Sequence, residues 1–185
     1  MIRAILALLA VATAASGEAA EAQPWIRRAR RHVAELDDSG RARLAMAEAL
    51  VGLQLGEAHA IERALAPYPE PEDLADPELV PFVPGLLARS RLWLGDLAGA
   101  RAICEGQLGL REEPSVHQVS LTSALAWVAC LEGHLTEAEQ MSNLALERAD
   151  SIGIVRHPVM AEALCAKGRV SFERGDLADA ERLLE

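Results

Sequence analysis

The sequence predicts an all-α protein, a right-handed α-solenoid of about five antiparallel helix pairs, and three observations carry that prediction. Five glycines, Gly17, Gly56, Gly95, Gly133 and Gly175, recur at intervals of 39, 39, 38 and 42 residues. Seven residues before each stands a small residue, Ala10, Ala49, Ala88, Ala126 or Gly168; five residues after it stands Ala22, Ile61, Ala100, Ala138 or Ala180. Ala and Leu abound, aromatics make up only 3%, and Val, Ile and Thr are scarce, a balance that favours close-packed helices over strands. A period of this length marks units that cannot bury their apolar faces alone and bury them against neighbours. Ile61 is the one slip in the column of alanines.

Each unit reads as two helices joined by a tight turn at its glycine, which tolerates the left-handed backbone that ends a helix. The acid that follows, Glu18, Glu57, Asp96 or Asp176, opens the second helix, where free amides and the helix dipole favour negative charge; His134 breaks the rule. The units lie near 1–37, 38–76, 77–114, 115–156 and 157–185, the last incomplete, and form a single helical-repeat domain. The opening stretch from Met1 to Gly17, MIRAILALLAVATAASG, has the basic start, apolar run and small residues of a secretory leader. Yet Gly17 keeps the register of the later glycines, which assigns 2–15 to the first helix, with a cleaved leader as the alternative. It is too short to span a bilayer, which takes about 20 apolar residues.

The second helix, 18–36, stops at Asp37-Asp38-Ser39-Gly40. Helices 40–55 and 57–66 follow, the latter cut short by the proline-rich PYPEPEDLADP from Pro67 to Pro77. Asp76-Pro77 opens 77–94 and leads through Gly95 to 96–110; Ser115 opens 116–132, followed by 135–151; His157-Pro158 opens 158–174, followed by 176–185. The sequence stops inside that last helix with Leu177, Leu183 and Leu184 uncovered, as expected of a fragment of a longer array; self-association through the open end is the alternative.

A formal charge of −10 argues against direct contact with nucleic acid, because such affinity comes from neutralising phosphates. Cys104, Cys130 and Cys165 are lone thiols without CxxC spacing and read as buried and reduced. His32, His59, His117, His134 and His157 form no ligand pattern and read as surface or capping residues, so no metal is expected. No GxSxG, HExxH or phosphate-loop motif occurs, Lys167 being followed by Gly168 and Arg169; no enzyme and no cofactor are predicted.

In a solenoid the first helices line the concave surface, and equivalent positions form rows across it. Six residues before each glycine the row is Val11, Leu50, Arg89, Trp127, Arg169; ten before, it is Ala7, Met46, Gly85, Ser123, Cys165. An indole between two guanidinium groups, with Ser123 nearby, suits an acidic peptide, a sugar or an anionic effector, so Arg89, Trp127, Arg169 and Ser123 are the groove candidates. The alternative is that Trp127 packs in the core and both arginines pair with acids.

A small residue seven before a glycine and an alanine five after it resemble the tetratricopeptide pattern, over nearly the whole chain. Where that family favours an aromatic or Leu nine after the glycine, this chain has Ile26, Leu65, Cys104, Ser142 and Leu184. Its longer spacing, with LLARSRLWLGDLAGAR and LAWVACLEGHLTEAEQMSNLALERAD, is similar to the MalT-like repeat region of LuxR-type transcriptional regulators. That resemblance implies a cytoplasmic, non-catalytic sensor or protein-interaction region, set between a nucleotide-binding switch and a helix-turn-helix, that takes a peptide, protein or small effector. Neither flanking signature occurs in these 185 residues. A stand-alone adaptor is the alternative, while a Lys/Asn carboxylate clamp is not expected, since Lys167 and Asn143 are the only Lys and Asn.

Overall fold

The structure, a computed structural model, describes residues 7, 10–11, 13–14, 17–68, 73–108 and 114–184. Among these it is all-helical, with nine α-helices and no strand. Of the expected helix 2–15, Ala7, Ala10, Val11, Thr13 and Ala14 are helical and the remaining positions lie outside the described residues. The chain divides into two compact units, Met1–Leu94 and Gly95–Glu185, the division falling at the third glycine corner.

The first unit holds α1 (Ala19–Arg30), α2 (Asp38–Leu55), α3 (Ala58–Leu65) and α4 (Val83–Trp93). Helix α2 starts where the Asp37 carboxylate accepts the Gly40 amide at 2.7 Å, a side-chain cap for a free donor. It stops at Gly56, whose φ of 70° lets the Glu57 amide reach back to the Gly52 carbonyl at 2.8 Å. The other four repeat glycines also take positive φ, between 82° and 87°. Helix α1 ends sooner than the expected 36: four arginines at 27, 28, 30 and 31 crowd like charges at helical spacing. A 3-10 turn, Val33–Glu35, then turns Leu36 into the interior, where it is buried with Ile26 and Leu44. Helix α4 starts later than the expected 77, because Pro81 and Pro84 lack the amides a helix needs and the chain runs through a 3-10 turn at Val80–Phe82.

Asp76 is not a helix start either. It is buried against α2, where Arg43 Nε donates to its Oδ2 at 2.6 Å and Ser39 Oγ at 3.3 Å, while the Glu78 amide donates to Oδ1 at 3.2 Å. Burial pushes this carboxyl up, but the Arg43 guanidinium outweighs it and holds the group below the ordinary aspartate range. The pair fastens the end of the proline-rich link onto the helix that carries the unit's core.

The second unit holds α5 (Leu97–Leu108), α6 (Val116–Leu131), α7 (Leu135–Ser151), α8 (Ala161–Glu173) and α9 (Leu177–Leu184). The expected start at Ser115 is present, its Oγ accepting the Gln118 amide at 3.3 Å, while at His157 the Nδ1 accepts the Val159 amide at 3.1 Å and caps a 3-10 turn, Pro158–Met160, that leads into α8 three residues later than expected. After the glycine corners the acids divide by length. Asp96 and Asp176 accept amides three residues on, at 2.9 and 3.1 Å, whereas Glu18 and Glu57, one methylene longer, make no cap bond.

The two units share one order of neighbours. In the first, α2 packs on α1 and α3, and α4 rests on both α2 and α3. In the second, α6 packs on α5 and α7, α8 rests on both α6 and α7, and α9 packs on α8. The small residues of the repeat sit at these contacts: Ala10, Ala22, Ala49, Ala88, Ala100, Ala126, Ala138 and Ala180 are buried, as is Gly168.

Candidate functional site

The groove candidates are split between the units. Arg89, on α4 of the first, is only 6% exposed, and its Nη1 donates to the Gly85 carbonyl one turn back at 3.3 Å. In the second unit Ser123 is fully buried on α6, its hydroxyl 4.0 Å from Met160 Sδ. Trp127 is half-buried, packed against a cluster of Ala126, Ala129, Cys130, Ala166 and Val170. Arg169 on α8 is exposed and sits 3.7 Å from Glu173, a distance at which a solvated pair contributes little. The surface that α6 and α8 leave open thus carries the edge of Trp127, Arg169, Cys165 and Phe172, the last 60% exposed. Cys104 and Cys130 are buried as expected, but Cys165 is not, because it sits on this open side of α8. Desolvation still pushes the Cys130 and Cys165 thiols up, away from the reactive thiolate.

Spacing did not disclose the strongest polar node of the second unit. Arg101 of α5 donates from Nε to Glu132 at 3.0 Å and from Nη1 to Glu137 at 2.6 Å and Glu105 at 3.0 Å. Its side chain is 20% exposed, so the bonds are partly shielded from water, and the Glu137 and Glu132 bonds raise its pKa further. Glu137 in turn is held below the usual carboxylate range by Arg101. His134 lies 3.5 Å from Glu137, which gives a reason for the departure noted in the sequence: a further acid at that corner would stand beside Glu132 and Glu137. The node joins α5 to the α6–α7 corner and is structural in form, with every carboxylate facing a cation.

The first unit carries a cleft of about 460 Å³ between α1 and α3, floored by α2. Ile26, Val51, Gly52 and Ala64 make its apolar base, with half-exposed Leu55 at one end. Arg27 stands on the α1 wall and Arg63 on the α3 wall, both exposed and neither bonded to any of the described residues. Arg30 is neutralised by Glu48 at 2.5 Å, and Arg28 stacks over Trp25 with 5.6 Å to the ring centre. The signal was present in the sequence as RRARR at 27–31, a basic run in an acidic chain.

Among the described residues no group of three or more His, Cys, Asp or Glu is placed to hold a metal ion, and no helix is long and apolar enough to cross a membrane. No protein-family model, curated protein or solved structure matches this chain.

Proposed function

We propose that this chain is a non-catalytic binding region built as a right-handed α-solenoid of tetratricopeptide-like helix pairs. The observation that carries the reading is the shared order of neighbours within the two units, in which α4 and α8 each rest on both helices of the pair before them, with the small residue, glycine and alanine of the period at the contacts. Its ligand, a partner protein, a peptide or a small effector, is taken on the face of the first helices, where Trp127 offers a ring and Arg169 an exposed guanidinium. The setting we infer is the cytoplasmic sensor region of a LuxR-type, MalT-like regulator, with nucleic acid left to another domain.

Three experiments test this. Small-angle scattering of the chain in solution should give the elongated profile of a stack of helix pairs; a spherical profile would remove the solenoid. The surrounding reading frame should encode a nucleotide-binding domain upstream and a helix-turn-helix downstream, and finding neither would leave the stand-alone adaptor. Trp127→Ala and Arg169→Ala should each reduce capture of a bound effector while leaving helicity intact, and unchanged capture would return both residues to packing and solvation.

A further inference from the structure

The geometry points to a second binding surface, the α1–α3 cleft of the first unit, as a dock for an acidic amphipathic helix. The proposal does not depend on the first-helix face, since the cleft is walled by second helices. Three features combine there. The base is apolar, and two helices held apart over a third leave the trough that another helix fills in helix-against-helix packing. Its volume of about 460 Å³ lies within the roughly 300–1,000 Å³ usual for binding clefts. Unpaired positive charge stands at two points, Arg27 and Arg63, one on each wall, while Arg30 is taken by Glu48.

This pattern chooses the occupant. An apolar stripe of Leu-like side chains would meet the narrow edges that Ile26, Val51 and Ala64 leave open and cover Leu55, 50% exposed, whose burial supplies most of the apolar gain. Asp or Glu flanking the stripe on both sides would meet Arg27 and Arg63 in bidentate pairs. A nucleic acid fits worse: its unbroken row of phosphates would run past Glu48 and Glu57, and its backbone would make no use of the apolar base. Gly52 helps set the shape. A Cβ there would stand 3.2 Å from both Ala60 and Ile61, so its absence lets α3 settle close on α2 and leaves a smooth base.

The test uses the full chain and a labelled helical peptide with Leu at alternating third and fourth positions and Glu on both flanks, followed by fluorescence anisotropy. A scramble of the same composition and a version with Lys for Glu serve as controls, beside a short DNA duplex. The acidic helix should bind, and both control peptides should bind at least about tenfold more weakly. Arg27→Glu with Arg63→Glu should weaken it about tenfold or more with unchanged circular dichroism, because neither side chain contributes a bond to the fold. Trp127→Ala should bind like the wild type. The proposal is overturned by no binding of the acidic helix, by affinity that survives the double charge reversal, by a duplex that binds more tightly than the peptide, or by a loss seen only in Trp127→Ala, which would move the peptide to the first-helix face.

Discussion

The two units set their helices in the same order and fill the spaces between them differently. In the first, long aliphatic side chains are wholly buried, with Met46, Ile61, Leu65 and Val83 at its centre. In the second, Ala126, Ala138, Ala145, Ala149, Ala163 and Ala166 are fully buried beside Val119, Val128 and Met160, with no Ile or Leu wholly buried among its described residues. The lesson lies at one matched pair of positions, four before and five after the corner glycine. The second unit has Ala129 and Ala138 there; the first has Gly52 and Ile61, and the missing methyl of one makes room for the added bulk of the other. The same exchange recurs at Gly168, where a Cβ would stand 2.8 Å from Leu184. Total volume across the contact is what packing preserves, not the identity of either residue.

The sharpest way to break this comparison is a mutant cycle at the exchanged pair. Ile61→Ala should cost about 3 kcal/mol, the lost burial plus the cavity left behind. Gly52→Ala in that background should recover about 1 kcal/mol, since it rebuilds the Ala–Ala pair of the second unit and improves helix propensity. In the wild-type background the same change should destabilise, because Ile61 then crowds the added methyl at 3.2 Å on top of Ala60 and the Glu57 carbonyl, which stay in both backgrounds. Urea midpoints read from Trp fluorescence check this, Trp25 and Trp93 reporting on the first unit and Trp127 on the second. Equal effects of Gly52→Ala in both backgrounds would dissolve the volume exchange.

The next contrast is between the polar ties. Asp76→Ala should cost the first unit about 2–3 kcal/mol, somewhat less than for a fully buried pair because Arg43 remains 30% exposed. Asp76 has a depressed folded pKa, so its contribution is complete above the unfolded value of about 3.9 and is lost as pH falls through the lower folded value. The midpoint gap between wild type and Asp76→Asn should hold at neutral pH and close below about pH 4, and a gap insensitive to acid would deny the ion pair its role. Arg101→Met should have the smallest effect, about 1–2 kcal/mol in the second unit, since the carboxylates it leaves are 21% and 34% exposed and can rehydrate. Raising the salt should narrow this difference more than that of Asp76→Asn; equal salt sensitivity would mean that the two ties do not differ in burial as described.

Much of the fold was legible because its signals are local. A glycine that ends a helix, a Ser or His that caps one and an Ala–Leu composition act within a few residues, and the corners at Gly56, Gly95, Gly133 and Gly175 and the caps at Ser115 and His157 stand where the sequence places them. The misreadings arise where local rules compete with distant partners. Asp76-Pro77 has the form of a helix start, yet Arg43, 33 residues away, draws the carboxylate inside. The groove row was legible only as a register: whether a given member reaches solvent depends on the helices laid beside it, and Ser123 and Arg89 are turned into their units. The basic run at 27–31 was visible as charge, but its meaning as one wall of a cleft required α3 to bring Arg63 to the facing wall.

By itself, then, the sequence determined the helical class, the corners and the period, since each follows from backbone conformation and side-chain size within a turn or two. Which residue is buried, which arginine is paired and which remains open was decided only in the tertiary structure, because burial and charge pairing are properties of neighbours that the chain brings together from 30 or more residues apart.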